Sequence, residues 1–296
     1  MKLLGKATLG KLTLKNSMVM SAMTRSRADQ NGMVGDMTVQ YYTQRAGAGM
    51  MFTEAIRISE EATGSPLTPG IYTPEQITTW KKVTQAVHAH GGLIVAQLWH
   101  TGRAGHSIDR NGKLPLAPSA LQITGAQHFT SQGPKEYETP QEITMDEIQQ
   151  TISDYGQAAK SAIEAGFDGV ELHAANGYLP SQFLAESANQ RIDDYEGSIP
   201  NNRLPSNVNG KKAIKYCTCR HPASHTIHFA GEAPCNHQGG VISVITHSTP
   251  LIVNQDGLPV NHLFSNKPSN GYTNHYDKFT TYIKILSAWL KHWFRS

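Results

Sequence analysis

The segment Gly166-Phe-Asp-Gly-Val-Glu-Leu-His173-Ala-Ala-Asn176-Gly-Tyr178 decides how the chain is read. Gly166 fits the residue that stops a helix, because a left-handed C′ position costs glycine least. Residues 169–175 read as a strand that carries His173, and Asn176 and Tyr178 follow in the loop. Upstream, Thr144-Met-Asp-Glu147 is a capping box. Ile148, Ile152, Tyr155, Ala159, Ala162 and Ile163 then form an apolar stripe at helical spacing. A capped helix, a stop glycine, a strand and a polar loop make one β/α unit.

The same unit precedes it. Thr73-Pro-Glu-Gln76 is another capping box, with Pro74 at the first helical position. Ile77, Trp80, Val83, Thr84 and Val87 follow with helical spacing, Gly91-Gly92 ends the helix, and 93–98 is a strand. Earlier come strand-like runs at 12–14 and 18–23, a helix holding Tyr41, Tyr42 and Arg45, and a buried strand over 49–56. Repeated β/α units predict a parallel sheet, either a (β/α)8 barrel or a doubly wound sheet. Between Trp99 and Ile143 lies a long Gly/Pro-rich excursion, of the kind that carries function on a rigid scaffold.

Composition narrows the class. The chain has 296 residues, of which 39% are hydrophobic and 17% charged, which excludes a disordered or coiled-coil protein. Its longest apolar runs are too short to span a bilayer, and no apolar stretch of signal-peptide length follows Lys2. A soluble cytoplasmic protein without a membrane partner is expected. Charge is uneven: residues 1–196 hold 16 Lys+Arg and 20 Asp+Glu, whereas 197–296 hold 10 and 3. All three cysteines and eight of the fourteen histidines lie in that last part. Two units are therefore expected, 1–196 and a basic 197–296. In the second unit only 277–294 shows a clear period, with Phe279, Tyr282, Ile283, Leu286, Trp289, Leu290 and Trp293 on one helical face.

Four successive strand ends carry groups that suit a ligand. The Thr24 hydroxyl, after Met23, could touch a ligand or cap a helix. Ala55 is small enough to admit a flat ligand. Gln97 offers a donor and an acceptor together, which suits an imide-like edge. His173 and Asn176 can both donate to one carbonyl oxygen, and Tyr178 can donate a proton nearby. Each alone could equally be a satisfied polar strand end; the four together point to a site.

These stretches carry a resemblance. Residues 1–196 resemble the old yellow enzyme family of flavin-dependent ene-reductases, through Leu12-Thr-Leu-Lys-Asn16, Met23-Thr-Arg25, Tyr41-Tyr-Thr-Gln-Arg45, Thr53-Glu-Ala55, Pro69-Gly-Ile-Tyr-Thr73, Gln97-Leu-Trp-His100, Gly102-Arg103, Ala117-Pro-Ser119, 166–178, Gln182-Phe-Leu184 and 189–195. The resemblance implies an FMN-holding (β/α)8 TIM barrel, incomplete or irregular after residue 196. It implies that Met23, Thr24, Ala55, Gln97 and His173 contact FMN, Thr24 beside N5 and Gln97 at the pyrimidine edge. His173 and Asn176 would hold the carbonyl of an electrophilic alkene, and Tyr178 would protonate its α-carbon. NADPH or NADH would reload the flavin in ping-pong fashion. His-x-x-Asn is similar to the branch containing N-ethylmaleimide and pentaerythritol tetranitrate reductases. Ala22 and Ser65 depart from the usual residues, Pro and an aromatic.

After Tyr195 the match collapses. A weak echo returns at Ser248-Thr-Pro-Leu-Ile-Val-Asn254, where His247-Ser248 occupies the place of a Gly-Arg pair that would grip the FMN phosphate. The first 196 residues supply four strands, and the tail one or two around 241–245. A monomer or homodimer is expected, with no metal and no nucleic-acid partner. Two alternatives stay open. One is a truncated, catalytically impaired remnant. The other is a basic zinc- or nucleic-acid-binding fusion using Cys217, Cys219, His221, His225, His228, Cys235 and His237.

Overall fold

The computed structural model describes residues 2–9, 12–196, 225–229 and 241–246, the last two segments as backbone strands. The tail's terminal helix (277–294), its cysteines and His247-Ser248 lie outside the described residues. The chain opens with an antiparallel hairpin, β1 (Ala7–Leu9) and β2 (Leu12–Leu14), before the short strand β3 (Val19–Met20). Helix α1 (Asp36–Thr43) leads to β4 (Met50–Arg57), and α2 (Pro74–Ala89) leads to β5 (Ile94–Trp99). The excursion then contains β6 (Leu116–Ala117), the hairpin β7 (Gln127–Thr130) and β8 (Gly133–Glu136), and β9 (Gln141–Glu142). Helix α3 (Met145–Glu164) precedes β10 (Gly169–His173), and a single turn, α4 (Leu179–Gln182), follows. In the tail, β11 (His225–Phe229) and β12 (Val241–Thr246) complete the described elements.

Both expected capping boxes form. Thr73 and Thr144 each accept from the backbone N–H of the residue three on, whose side chain bonds back to the cap. Gly166 takes φ +88° and ends α3 by bonding its N–H to Ile163 O. The central sheet runs β11-β12-β10-β5-β4-β3, and every neighbouring pair is parallel except β11 with β12. The tail thus adds the expected strand near 241–245 beside β10. It also adds an antiparallel edge strand, which an all-parallel barrel does not contain.

Strand alternation sorts the side chains. Ile94, Ala96, Leu98, Val170 and Leu172 join Trp80, Val83, Val87, Ile148, Ile152 and Tyr155 in the layer between sheet and helices. On the opposite, inner face, Met50, Phe52 and Val95 pack against Leu9 and Leu14 of the β1–β2 hairpin. The hairpin therefore closes the inner face at the N-terminal ends of the strands. The C-terminal ends are left for a site, as in every barrel of this class.

Three expected boundaries shift. The run 18–23 forms a strand only over Val19–Met20, because the chain then turns so that Arg25 can meet Glu54. The strand 169–175 stops at His173, because Ala175 O accepts from Tyr178 N and closes a turn. Arg45 lies beyond α1, in the turn where its N–H bonds to Tyr42 O.

Candidate active site

The inner face holds one row across three strands. Ala55 of β4 pairs with Gln97 of β5, and Gln97 pairs with Glu171 of β10. Ala55 reaches this row through an irregularity. The β4–β5 register shifts between Phe52 and Ala55, a β-bulge that reverses the alternation. Phe52 faces inward before it, whereas Ile56 and Ile58 face the helices after it, so Ala55 and Arg57 take the inner face. The ladder bond lost at the bulge is replaced: Gln97 N donates to Thr53 Oγ1 at 3.0 Å.

Gln97 is held from the other side too. Its Nε2 donates to Glu171 Oε2 at 2.8 Å. Further along the inner face lie Trp99 and His173, both buried. Burial pushes the His173 imidazole down to about 4, so it is neutral at physiological pH. Its Nδ1 accepts from Ala175 N at 3.4 Å, which places the ring proton on Nε2 and makes that atom a donor.

The segment after His173 is a tight turn. Asn176 and Gly177 have φ of +54° and +71°, and Tyr178 N bonds to Ala175 O at 3.0 Å. Two successive left-handed residues make a type I′ turn, for which Asn-Gly is the preferred pair. The turn delivers Tyr178 back over the strand end. Its ring meets His173 edge-on at 4.8 Å and Trp99 at 5.1 Å between centroids. Burial raises the phenol above its usual range. Gln182 locks the arrangement, donating to Gly177 O at 2.7 Å and Thr101 O at 2.9 Å. A Cβ on Gly102 would come within 2.1 Å of Gln182 Oε1, so only glycine fits there.

Thr24, Asn176 and Tyr178 line a cavity of about 290 Å³ with Ser65, Ala104 and His128. Ala55, Gln97 and His173 lie deeper, on the buried inner face, and the His173–Tyr178 ring contact joins the two groups. Met23 is set apart: it is 48% exposed and outside that cavity. The backbone of the Thr24 loop is anchored by Arg25, whose N–H and guanidinium both bond to Glu54 while the guanidinium packs on Tyr41 and Tyr42.

Sequence reasoning missed the far wall. His128 and Phe129 of β7, and Tyr137 directly after β8, come from the long excursion. His128 bonds through Nε2 to Gly64 O and packs on Tyr137 at 5.4 Å. The sequence carries no period that marks this strand: the covered residues of 127–130 are the polar His128 and Thr130, while the apolar Phe129 faces outward.

Residues 3–205 match the NADH:flavin oxidoreductase / NADH oxidase family. The chain belongs to this family. Among curated relatives, it is 45% identical over 201 residues to flavin oxidoreductase hxnT of Emericella nidulans, covering 65% of this chain and 50% of the relative. It is 43% identical over 195 residues to 12-oxophytodienoate reductase 1 of Oryza sativa subsp. japonica, with the same coverage of each. Among solved structures, it superposes on the old yellow enzyme homologue from Zymomonas mobilis with a TM-score of 0.65 and 43% identity, covering 68% of this chain and 56% of that one. Morphinone reductase in complex with tetrahydroNAD gives 0.64 and 45%, covering 68% and 57%. The chain spans about half the length of the curated relatives it matches. Residues 206–294 match a domain of unknown function (DUF6791). The fold is thus an old yellow enzyme TIM barrel, present in part. Among the described residues, no group of His, Cys, Asp and Glu could hold a metal, and no helix is long and apolar enough to cross a membrane.

The inner face suits a flavin. Ala55 leaves room for a ring, and the Gln97 amide and the His173 Nε2–H supply polar contacts. Trp99 Nε1 and Glu171 Oε1 are buried on the same face with no partner among the described residues, as expected of a wall built around a polar guest.

Proposed function

We propose that the chain is an FMN-dependent ene-reductase that reduces the C=C bond of α,β-unsaturated carbonyl compounds, with NADPH or NADH as reductant. The observation that carries this reading is the His173–Asn176–Tyr178 set, held by a Gln182-locked turn beside the Ala55/Gln97 row. Thr24, Ala55, Gln97 and His173 would hold the FMN, with Met23 at the rim of the same loop. When bound, FMN supplies the hydride chemistry.

The chain's own residues handle charge and protons. The neutral His173 donates from Nε2 and Asn176 from its amide, both to the substrate carbonyl oxygen. They stabilise the negative charge that develops there as the alkene is reduced. Tyr178 then gives its phenolic proton to the α-carbon. At its ordinary pKa the phenol already carries that proton at neutral pH, and burial raises it further. Trp99 and the β7–β8 hairpin wall the site. Ser65, small and polar, leaves substrate space in the cavity. Residues 1–196 would form the N-terminal, catalytic part of the barrel and 197–296 a divergent basic segment that joins the same sheet through β12, in a cytoplasmic monomer or homodimer acting on a small molecule.

The test is the visible spectrum of the purified full-length chain, followed by titration of apo-protein with FMN and by turnover of 2-cyclohexenone with NADPH or NADH. A bound yellow flavin and nicotinamide-dependent loss of the enone are expected. Colourless protein that takes up no FMN would overturn the reading in favour of an impaired remnant.

A further inference from the structure

Glu171 is the one carboxyl on the inner face of β10, and it is fully buried at 0% exposure. Among the described residues no lysine, arginine or histidine pairs with it. A carboxyl in such surroundings is costly, and an apolar residue would fill the space more cheaply. Its single bond is to Gln97, at 2.8 Å from Nε2 to Oε2, between residues that face each other in the strand register. On its other side Gln97 is bounded by Ala55, which has no polar group to compete for the amide. The bond to Glu171 engages Gln97 Nε2 and leaves Oε1 outside it.

We propose that Glu171 is the positioning residue of Gln97: by taking one amide N–H it fixes which way the amide faces, so that Oε1 and the second N–H are presented together to the imide edge of the flavin. This rests on the FMN reading above. An imide edge offers an N–H flanked by carbonyl oxygens, and the fixed amide matches it with one acceptor and one donor. A free amide could turn over and set its NH2 against the ring N–H. Burial pushes the Glu171 carboxyl up to about 8, yet Oε2 accepts the bond whether or not the group is ionised.

The experiment compares FMN with N3-methyl-FMN, which lacks the imide proton, on the full-length apo-protein. Wild type should favour FMN by about tenfold or more, the cost of leaving one buried acceptor unmade. Glu171→Gln, which keeps an acceptor for Gln97 Nε2, should hold that ratio. Glu171→Met should bring it within about threefold, because the amide is no longer oriented. The ratio cancels general loosening of the site, which would weaken both flavins together. An unchanged ratio in Glu171→Met, or no discrimination by wild type that binds FMN, would overturn the assignment. Binding of neither flavin by wild type would overturn the FMN reading and this inference with it. Should Glu171→Met not fold, the N3 resonance of 15N-labelled FMN decides: a hydrogen-bonded shift kept by Glu171→Gln supports the assignment, and its absence in wild type overturns it.

Discussion

At the scale of single residues, the site depends on which groups stay neutral. The Tyr178 phenol is protonated at neutral pH, with burial raising it further, so Tyr178→Phe removes a proton donor and little else. Reduction of enone by the flavin-loaded variant should slow by roughly ten- to ten-thousand-fold, while reduction of the flavin by nicotinamide changes little. Stopped-flow measurement of the two half-reactions checks this, and equal losses in both would remove the assignment. His173 makes a stability prediction. Its folded pKa, about 4, lies below the ordinary 6.5, so the unfolded chain binds the extra proton first. The stability contributed by neutral His173 is complete above pH 6.5 and is lost as pH falls toward 4. Glu171 has the opposite sign: its pKa is raised from 4.5 to about 8, so its burial costs more as pH rises through that window. Melting temperatures against pH should therefore fall less steeply on the acid side in His173→Asn, and less steeply on the alkaline side in Glu171→Gln.

At the scale of elements, caps and turns do the positioning. Helix α3 starts at Thr144, whose hydroxyl accepts from Glu147 N while Glu147 bonds back to Thr144 N at 2.8 Å. Thr144→Ala should lower stability by about 0.5–2 kcal/mol in urea unfolding, with an unchanged slope. Gly102→Ala should do more harm than one methyl suggests, since φ is +61° and the new Cβ collides with Gln182. Loss of the Gln182 bonds would free the Asn176–Gly177 turn, so enone turnover should fall further than flavin affinity; parallel losses would count against the lock. These elements also mark what the sequence discloses. Capping boxes, stop glycines and helical stripes are local, and α2, α3, β4, β5 and β10 were legible from them within a residue or two. The bulge in β4 was not. Nothing in Phe52-Thr-Glu-Ala55 announces a change of phase, which follows from Glu54 meeting Arg25 and Tyr42 across the fold. Glu171 was likewise silent as a residue, because its meaning lies in the strand beside it. His128 and Tyr137 were hidden in a segment whose return over the site is a long-range contact.

At the scale of the whole molecule, the first three parallel strands rest on the β1–β2 hairpin. Leu9 and Leu14 fill the inner face beneath Met50, Phe52 and Val95. Leu14→Ala should cost about 2–5 kcal/mol as a cavity in this floor, read by chemical denaturation, with the spectrum of any bound flavin little altered. The sheet then continues through β10 into β12 and ends on the antiparallel β11. Composition changes at residue 197 while pairing does not stop there, because backbone ladders extend a sheet without regard to side-chain origin.

The turn that delivers Tyr178 also gives the protein a clock. In Asn176–Gly177 the asparagine is exposed, and the backbone nitrogen that follows it carries no side chain to shield it. That nitrogen can attack the amide carbon and expel ammonia, leaving a succinimide that opens to aspartate or isoaspartate. Ageing of this kind would replace a hydrogen-bond donor by an anion where an oxyanion must be stabilised. Preparations stored warm at mildly alkaline pH should accumulate an acidic form on isoelectric focusing, and that form should be the inactive one.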